Sequence, residues 1–366
     1  MNAPDTAAPD PAAPDPAAPD PAAPDPAAPD PIAQRAARLL RWYPKAWRSR
    51  YGEEFTELLI CDIDERPRSR SRTADVIRGG IVARLADAGL CGCAPGAAAQ
   101  VRASLASLTC CAAVFLGFGD AMWSQLTIGW QWSEPDSAAT TVATVVMSGA
   151  MGVFAVLALL AALPVACSVV SRMARGGPRG LLGPAALFLA GLAVVVVGGR
   201  HFGNGWPGTG GHPWAGQGLV PGGVAAFSWA STLSVSSFWA HPAALAAFPA
   251  AELAWMALSP LAAACVVAGA AAAVRRTELP PGVLRFEVRL GIAACVTMAV
   301  FLGGCSAWIT SRPPGPGNLF HPGAIDVAGA VVMAAALAVA QRAARQARAG
   351  GRRPRRPYAA RPTGTI

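Results

Sequence analysis

The chain has 366 residues, of which 53% are hydrophobic and only 14% charged, with a formal net charge of +9. Soluble domains carry about 25% charged residues, so the composition argues against an ordinary soluble protein and for a membrane one. In a membrane protein a basic excess is expected to hold loops on the cytoplasmic side, and no nucleic-acid partner is expected.

Residues 1–31 repeat the pentamer of "APDPAAPDPAAPDP". Proline fixes φ and removes a donor, and the repeat offers nothing to bury, so a disordered acidic tail is expected. It has no basic start and no apolar run, so it does not read as a signal peptide.

Residues 32–90 read as a small cytoplasmic module of three helices. "IAQRAARLLRWY" predicts a short helix ending near Pro44, and Pro44 suits the first turn of the next. In that second helix Trp47, Tyr51, Phe55, Leu58 and Leu59 recur at helical spacing and predict one apolar, buried face. Arg50 and Glu54 are four apart and predict a pair. "ERPRSRSR" reads as a basic linker. Thr73 then caps a third helix with Val76, Ile77, Ile81 and Leu85 facing inward.

The stretch "RLLRWYPKAWRSRYGEEF" carries a resemblance. Leu39, Leu40, Tyr43, Pro44, Trp47, Arg48, Arg50, Tyr51, Gly52, Glu53 and Glu54 stand in an order that resembles the prefix module of many bacterial integral membrane proteins, some of them ABC-type permeases. The resemblance covers about residues 35–90. It implies a folded cytoplasmic helical cap with a regulatory or partner-binding role. The large extracytoplasmic domain of such permeases has no counterpart in this sequence, so transport does not follow from it.

From residue 104 the apolar runs reach the roughly 20 residues that a bilayer crossing needs. Six are expected to span, at 104–122, 141–168, 181–199, 246–274, 288–310 and 324–341. Prolines 164, 184, 249 and 260 fall within or beside them, which membrane helices tolerate. Taken alternately, the regions between and beyond the spans hold 28 basic residues on one side and 2 on the other. This asymmetry predicts both termini in the cytoplasm and a multi-pass protein of the cell membrane. The apolar stretch 219–240 is long enough to cross, but crossing would move Arg275, Arg276, Arg285 and Arg289 outside. A re-entrant or interfacial placement is the expected one, with spanning as its alternative. Residues 342–366 read as a basic cytoplasmic tail that can touch anionic lipid.

Candidate chemistry is sparse. Three acids lie in or at the spans, Asp120, Glu252 and Asp326, and an intramembrane acid is a functional candidate by default. Hydration at the interface, or pairing with Arg200 or Arg312, is the plainer reading of each. Nine of eleven tryptophans, Trp255 and Trp308 among them, fall on the predicted outer side and suggest an aromatic belt. The four histidines lie there too, without helical i, i+4 spacing. The nine cysteines contain no C-x-x-C pair, and Cys91-Gly-Cys93 has no second pair to complete a zinc site. No metal and no cofactor are expected.

Gly203-Asn-Gly205-Trp-Pro-Gly208 matches a dinucleotide fingerprint in letters but follows a membrane segment, not a strand. Ser306 in Gly304-Cys-Ser306 would need a base within reach, and His321 sits in a Pro/Gly loop. The reading is therefore an all-α polytopic membrane bundle with a three-helix cytoplasmic module and disordered tails. Its partners are the lipid bilayer and a cytoplasmic protein. Its role is non-enzymatic, regulatory or partner-binding, with a transporter or permease component as the alternative.

Overall fold

The computed structural model describes residues 30–92, 97–127, 138–175, 180–202, 249–311 and 324–351. Among them the chain forms helices α1 (Pro31–Leu40), α2 (Lys45–Glu65), α3 (Arg70–Asp87), α4 (Ala98–Thr127), α5 (Ala138–Ala174), α6 (Leu182–Phe202), α7 (Ala250–Arg276), α8 (Pro281–Ser311) and α9 (Ala324–Gly350), and no strand. The chain divides into two compact units, Met1–Ile81 and Val82–Ile366, with the division inside α3.

The first unit is a three-helix assembly. The last aspartate of the repeat caps α1, its Oδ1 accepting from the Ile32 amide at 2.9 Å. Pro31 follows at the first turn, where a missing N–H costs nothing. A tight turn bonds Tyr43 N–H to Leu40 O at 3.0 Å, and Pro44 caps α2 rather than opening it. Leu59 and Ile63 of α2 are buried, as are Ala36 and Leu39 of α1 and Val76 of α3. Gly80 is required by close approach: a side-chain Cβ there would lie 2.6 Å from that of Trp42.

Three expectations are corrected in this unit. The expected buried face of α2 is only half covered, since Tyr51 and Leu58 are exposed, Leu58 at 67%. In α3, Val76 is buried but Ile81 is exposed. The cap of α3 is Ser69, whose Oγ accepts from the Arg72 amide at 3.2 Å, while Thr73 lies a turn inside and bonds Ser69 O.

The supposed linker is also more than a linker, because Arg70, Ser71 and Arg72 are helical. Arg72 is buried, and its Nη1 donates to Asp62 O at 2.7 Å, to Arg66 O at 2.9 Å and to Asp62 Oδ2 at 3.3 Å. One guanidinium therefore closes the α2–α3 corner, adding a charged donor to carbonyls that also accept the Arg66 and Ser69 amides.

In the second unit α4 to α9 are all long and apolar enough to cross a bilayer. This is an all-α polytopic helix bundle, and the expected spans are present as helices. The strongest pairings are α4 with α9, α6 with α7, and α5 with α8. The core is built from Phe115, Met147, Phe154, Met298, Phe301 and Met333, with Phe115 and Phe301 edge to face at 5.8 Å. A stripe of Ala336, Ala340, Ala343, Ala344 and Ala347 buries one face of α9; small residues of this kind let helix axes approach closely.

That stripe carries α9 beyond the apolar run, to Gly350. Arg342, Arg345 and Arg348 stand on its exposed face. The first arginines of the basic segment are thus helical, and the remainder from 352 lies outside the described residues. Val145, Val153, Leu159, Leu163, Val197 and Leu261 are exposed on the bundle's exterior, where an apolar surface is expected to meet lipid.

Two of the expected belt tryptophans are core residues. Trp308 is only 2% exposed and belongs to the central cluster. Trp255 is buried between α7 and α6, and its indole N–H donates to Val194 O at 3.0 Å.

One end of the bundle is tied together by arginines. Arg172 donates to Arg276 O at 3.3 Å and Arg276 to Gly180 O at 2.8 Å. Arg275 meets the Asp87 carboxylate at 3.2 Å, and Arg342 donates to Leu90 O at 2.8 Å. The end of α3 is fastened here by a Schellman turn, Leu90 N–H to Leu85 O and Gly89 N–H to Ala86 O. Gly89 takes φ 71°, and a Cβ there would collide with the Ser104 amide nitrogen.

Candidate functional site

The prefix-like motif forms an aromatic ladder. Tyr43, buried in the α1–α2 turn, stacks on Trp47 at 4.0 Å and meets Phe55 edge-on at 5.3 Å. Trp47 in turn meets Phe55 at 5.3 Å and Tyr51 at 5.4 Å. Such pairs add about 0.5–1.5 kcal/mol each beyond their area. Burial pushes the Tyr43 phenol above its ordinary value.

The ladder ends at the surface. Tyr51 is exposed, with the Arg50 guanidinium 5.2 Å from its ring centre. That contact stands where a pair with Glu54 was expected, and among the described residues no Arg50–Glu54 ion pair forms. Arg48, Glu53 and Glu54 are exposed, and Gly52 is buried against Leu40. Tyr51, Glu54 and Leu58 share one open face of α2, at i, i+3 and i+7.

A second feature of the first unit is a basic groove of about 540 Å³ lined by Arg35, Arg68, Ser69, Arg70 and Thr73. Arg35 donates to Pro67 O, which holds α1 against the α2–α3 corner.

The second unit contains an apolar cavity of about 590 Å³ between α4, α5, α6, α7 and α8. Leu108, Phe154, Val169, Phe188 and Ala270 represent its walls. Glu287 of α8 is the one ionisable side chain among its lining residues. The residue is 7% exposed, and its Oε1 is buried without a hydrogen-bond partner. Thr109, also in the wall, is satisfied by its own helix, donating to Leu105 O at 3.0 Å. The cavity uses the C-terminal parts of α5 and α7 and the N-terminal parts of α6 and α8. It therefore lies toward the end tied by Arg172, Arg275 and Arg276.

Of the three acids named from the sequence, Glu252 is not among the cavity's lining residues. Glu252 is buried in the first turn of α7 and engages a partner, so of the two plainer readings, hydration or pairing, burial argues against hydration. Asp120 and Asp326 lie on α4 and α9, and their side chains fall outside the described residues. Glu287 escaped because "RFEVRL" reads as a basic connection. Its helical register held the signal: Leu284, Glu287, Val288 and Gly291 share a face at i, i+3, i+4 and i+7, and all four are buried.

Ser306 is exposed and donates to Leu302 O at 2.9 Å. His321, the 203–208 glycines and the 219–240 stretch lie outside the described residues, as does the outer tryptophan set apart from Trp255 and Trp308; Trp123 is helical without a described side chain. Among the described residues no three metal-binding side chains gather. Comparison with protein-family models, with curated proteins and with solved structures finds no match.

Proposed function

We propose that the protein acts by binding rather than by catalysis, and that its N-terminal helical module meets a cytoplasmic protein partner from the membrane surface. The observation that carries this is the open face of α2. Leu58 is 67% exposed and Tyr51 is exposed about two turns before it. Aromatic and apolar groups with a charged neighbour are the composition of an interface centre. The resemblance of Tyr43–Glu54 to prefix modules points the same way, and the 28-to-2 asymmetry of basic residues supports a cytoplasmic position.

A photo-crosslinking amino acid at Leu58 in native membranes tests it. A discrete protein adduct is expected at Leu58 and not at Ala37, which is exposed on α1. Equal labelling at both positions, or none at Leu58, would overturn the reading. A second reading, a transporter or permease component, is favoured by the cavity around Glu287 and predicts loss of a membrane flux in Glu287→Gln.

A further inference from the structure

We propose that the cavity between α4, α5, α6, α7 and α8 is a binding site for an amphiphilic amine, with Glu287 receiving the ammonium head. The site lies apart from the module and does not depend on that reading. Its walls are side chains of Leu, Val, Ala, Phe and Met, which suit an aliphatic or aromatic body. A carboxylate among such walls has lost the solvent that would stabilise it, and an unpaired buried charge is costly.

Among the described residues no donor reaches the buried Oε1 of Glu287. Its own helix carries Arg285 and Arg289 nearby, both outside its buried face: Arg285 donates instead to Pro281 O at 3.3 Å. Arg102 of α4 and Arg275 of α7 belong to the same end of the bundle, but Arg275 is committed to Asp87 and neither pairs with Glu287. With no donor among the described residues, a ligand can complete the site. A cation with N–H groups supplies both the charge and the hydrogen bond.

The position of Glu287 fits such a molecule. It lies two turns into α8, close to the arginine-tied end, while the cavity continues along α5 toward Phe154. An amphiphile would then keep its head near the interface and its body among the apolar walls. Lipid acyl chains can fill the same volume, but they offer nothing to the carboxylate. The site should therefore select by head group.

Equilibrium binding of naphthylmethylamine to the full chain in phosphatidylcholine nanodiscs tests this, with empty nanodiscs subtracted for partition into lipid. The neutral isostere naphthylmethanol is the comparison. Saturable amine binding is expected, roughly tenfold tighter than the alcohol. Glu287→Gln should remove that preference and leave the alcohol unchanged. Ala161→Phe, which fills the cavity from α5 with Glu287 intact, should weaken both. Binding of the amine that does not saturate, or that is equal to the alcohol in the native chain, overturns the proposal. So does an unchanged preference in Glu287→Gln. Where Glu287→Gln fails to elute as a single species, the native preference and the weakening of both ligands in Ala161→Phe decide the matter.

Discussion

Leu58 on α2 and Leu159 on α5 are almost equally exposed, at 67% and 66%. Their surroundings give that exposure opposite meanings. Leu159 lies near the middle of a 37-residue apolar helix, and lipid covers it at no cost. Leu58 lies in a unit whose corner is closed by an arginine and whose core holds Leu39, Tyr43, Leu59 and Ile63, and in a module facing water such exposure would be unfavourable. The two units also build their interiors differently. The module buries large aliphatic and aromatic groups inside and shows charges outside. The bundle fastens α9 with alanines and shows valine and leucine outside. Without a hydrophobic drive between helices in lipid, close fit has to do the work.

The largest effect should come from the centre of the bundle. Trp308 is enclosed with Met147 and Cys305 in the main cluster. Trp308→Ala should cost about 3–5 kcal/mol. Heating detergent-solubilised protein and measuring what remains monodisperse checks this. Unchanged heat resistance would return Trp308 to the belt that the sequence suggested.

The comparison itself is sharpened by one substitution made twice. Leu159→Arg places a charge in mid-span and should cost about 3 kcal/mol of insertion. Leu58→Arg, in water, should change module stability by less than about 0.5 kcal/mol. Glycosylation-site mapping reads the first, and protease resistance of the module reads the second. Equal damage at the two sites would mean that Leu58 is covered after all, by lipid or by another part of the protein.

How much of this was legible in the sequence follows from how local each signal is. Span number is a matter of length and hydropathy, so α4 to α9 could be read directly. The face of a helix that ends up covered is not local. Along α2, Trp47, Tyr51, Phe55, Leu58, Leu59 and Ile63 spread over an arc wider than α1 and α3 cover, and only the Leu59–Ile63 side is buried. Charge runs misled twice. "RPRSRSR" reads as solvated, yet Arg72 is interior because three oxygen acceptors converge on it. "RFEVRL" reads as a connection, yet Glu287 shares a register with Leu284 and Gly291. In both places helical periodicity carried information that average polarity concealed.

Arg72 offers a smaller test on the module side. Arg72→Ala would leave the carbonyls of Asp62 and Arg66 without this donor. Both carbonyls keep a backbone N–H donor, so the expected loss is that of hydrogen bonds from a charged donor, about 1.5–3 kcal/mol. Faster cleavage at the Arg66–Ser69 connection, with the bundle's heat resistance unchanged, is the expected result. A matching loss in the bundle would show that the two units unfold together.

The smallest effect concerns pH and again separates the units. Burial holds the Tyr43 phenol above its ordinary value of about 10. The unfolded chain therefore releases this proton first as pH rises. The module's stability is complete below about pH 10 and falls as pH climbs through the higher, folded value. One group contributes at most about 1.4 kcal/mol per pH unit over that interval. Subtilisin cleavage of the module, followed across this range in the full chain, should quicken with pH. Tyr43→Phe keeps the ring stacked on Trp47 and removes the ionisable oxygen, so its slope should be flatter. The bundle's core positions carry no tyrosine, and its cleavage should not share the difference between the two proteins. If native and Tyr43→Phe modules lose resistance in parallel, the ladder's first ring is open to water and the module's core begins at Leu59 instead.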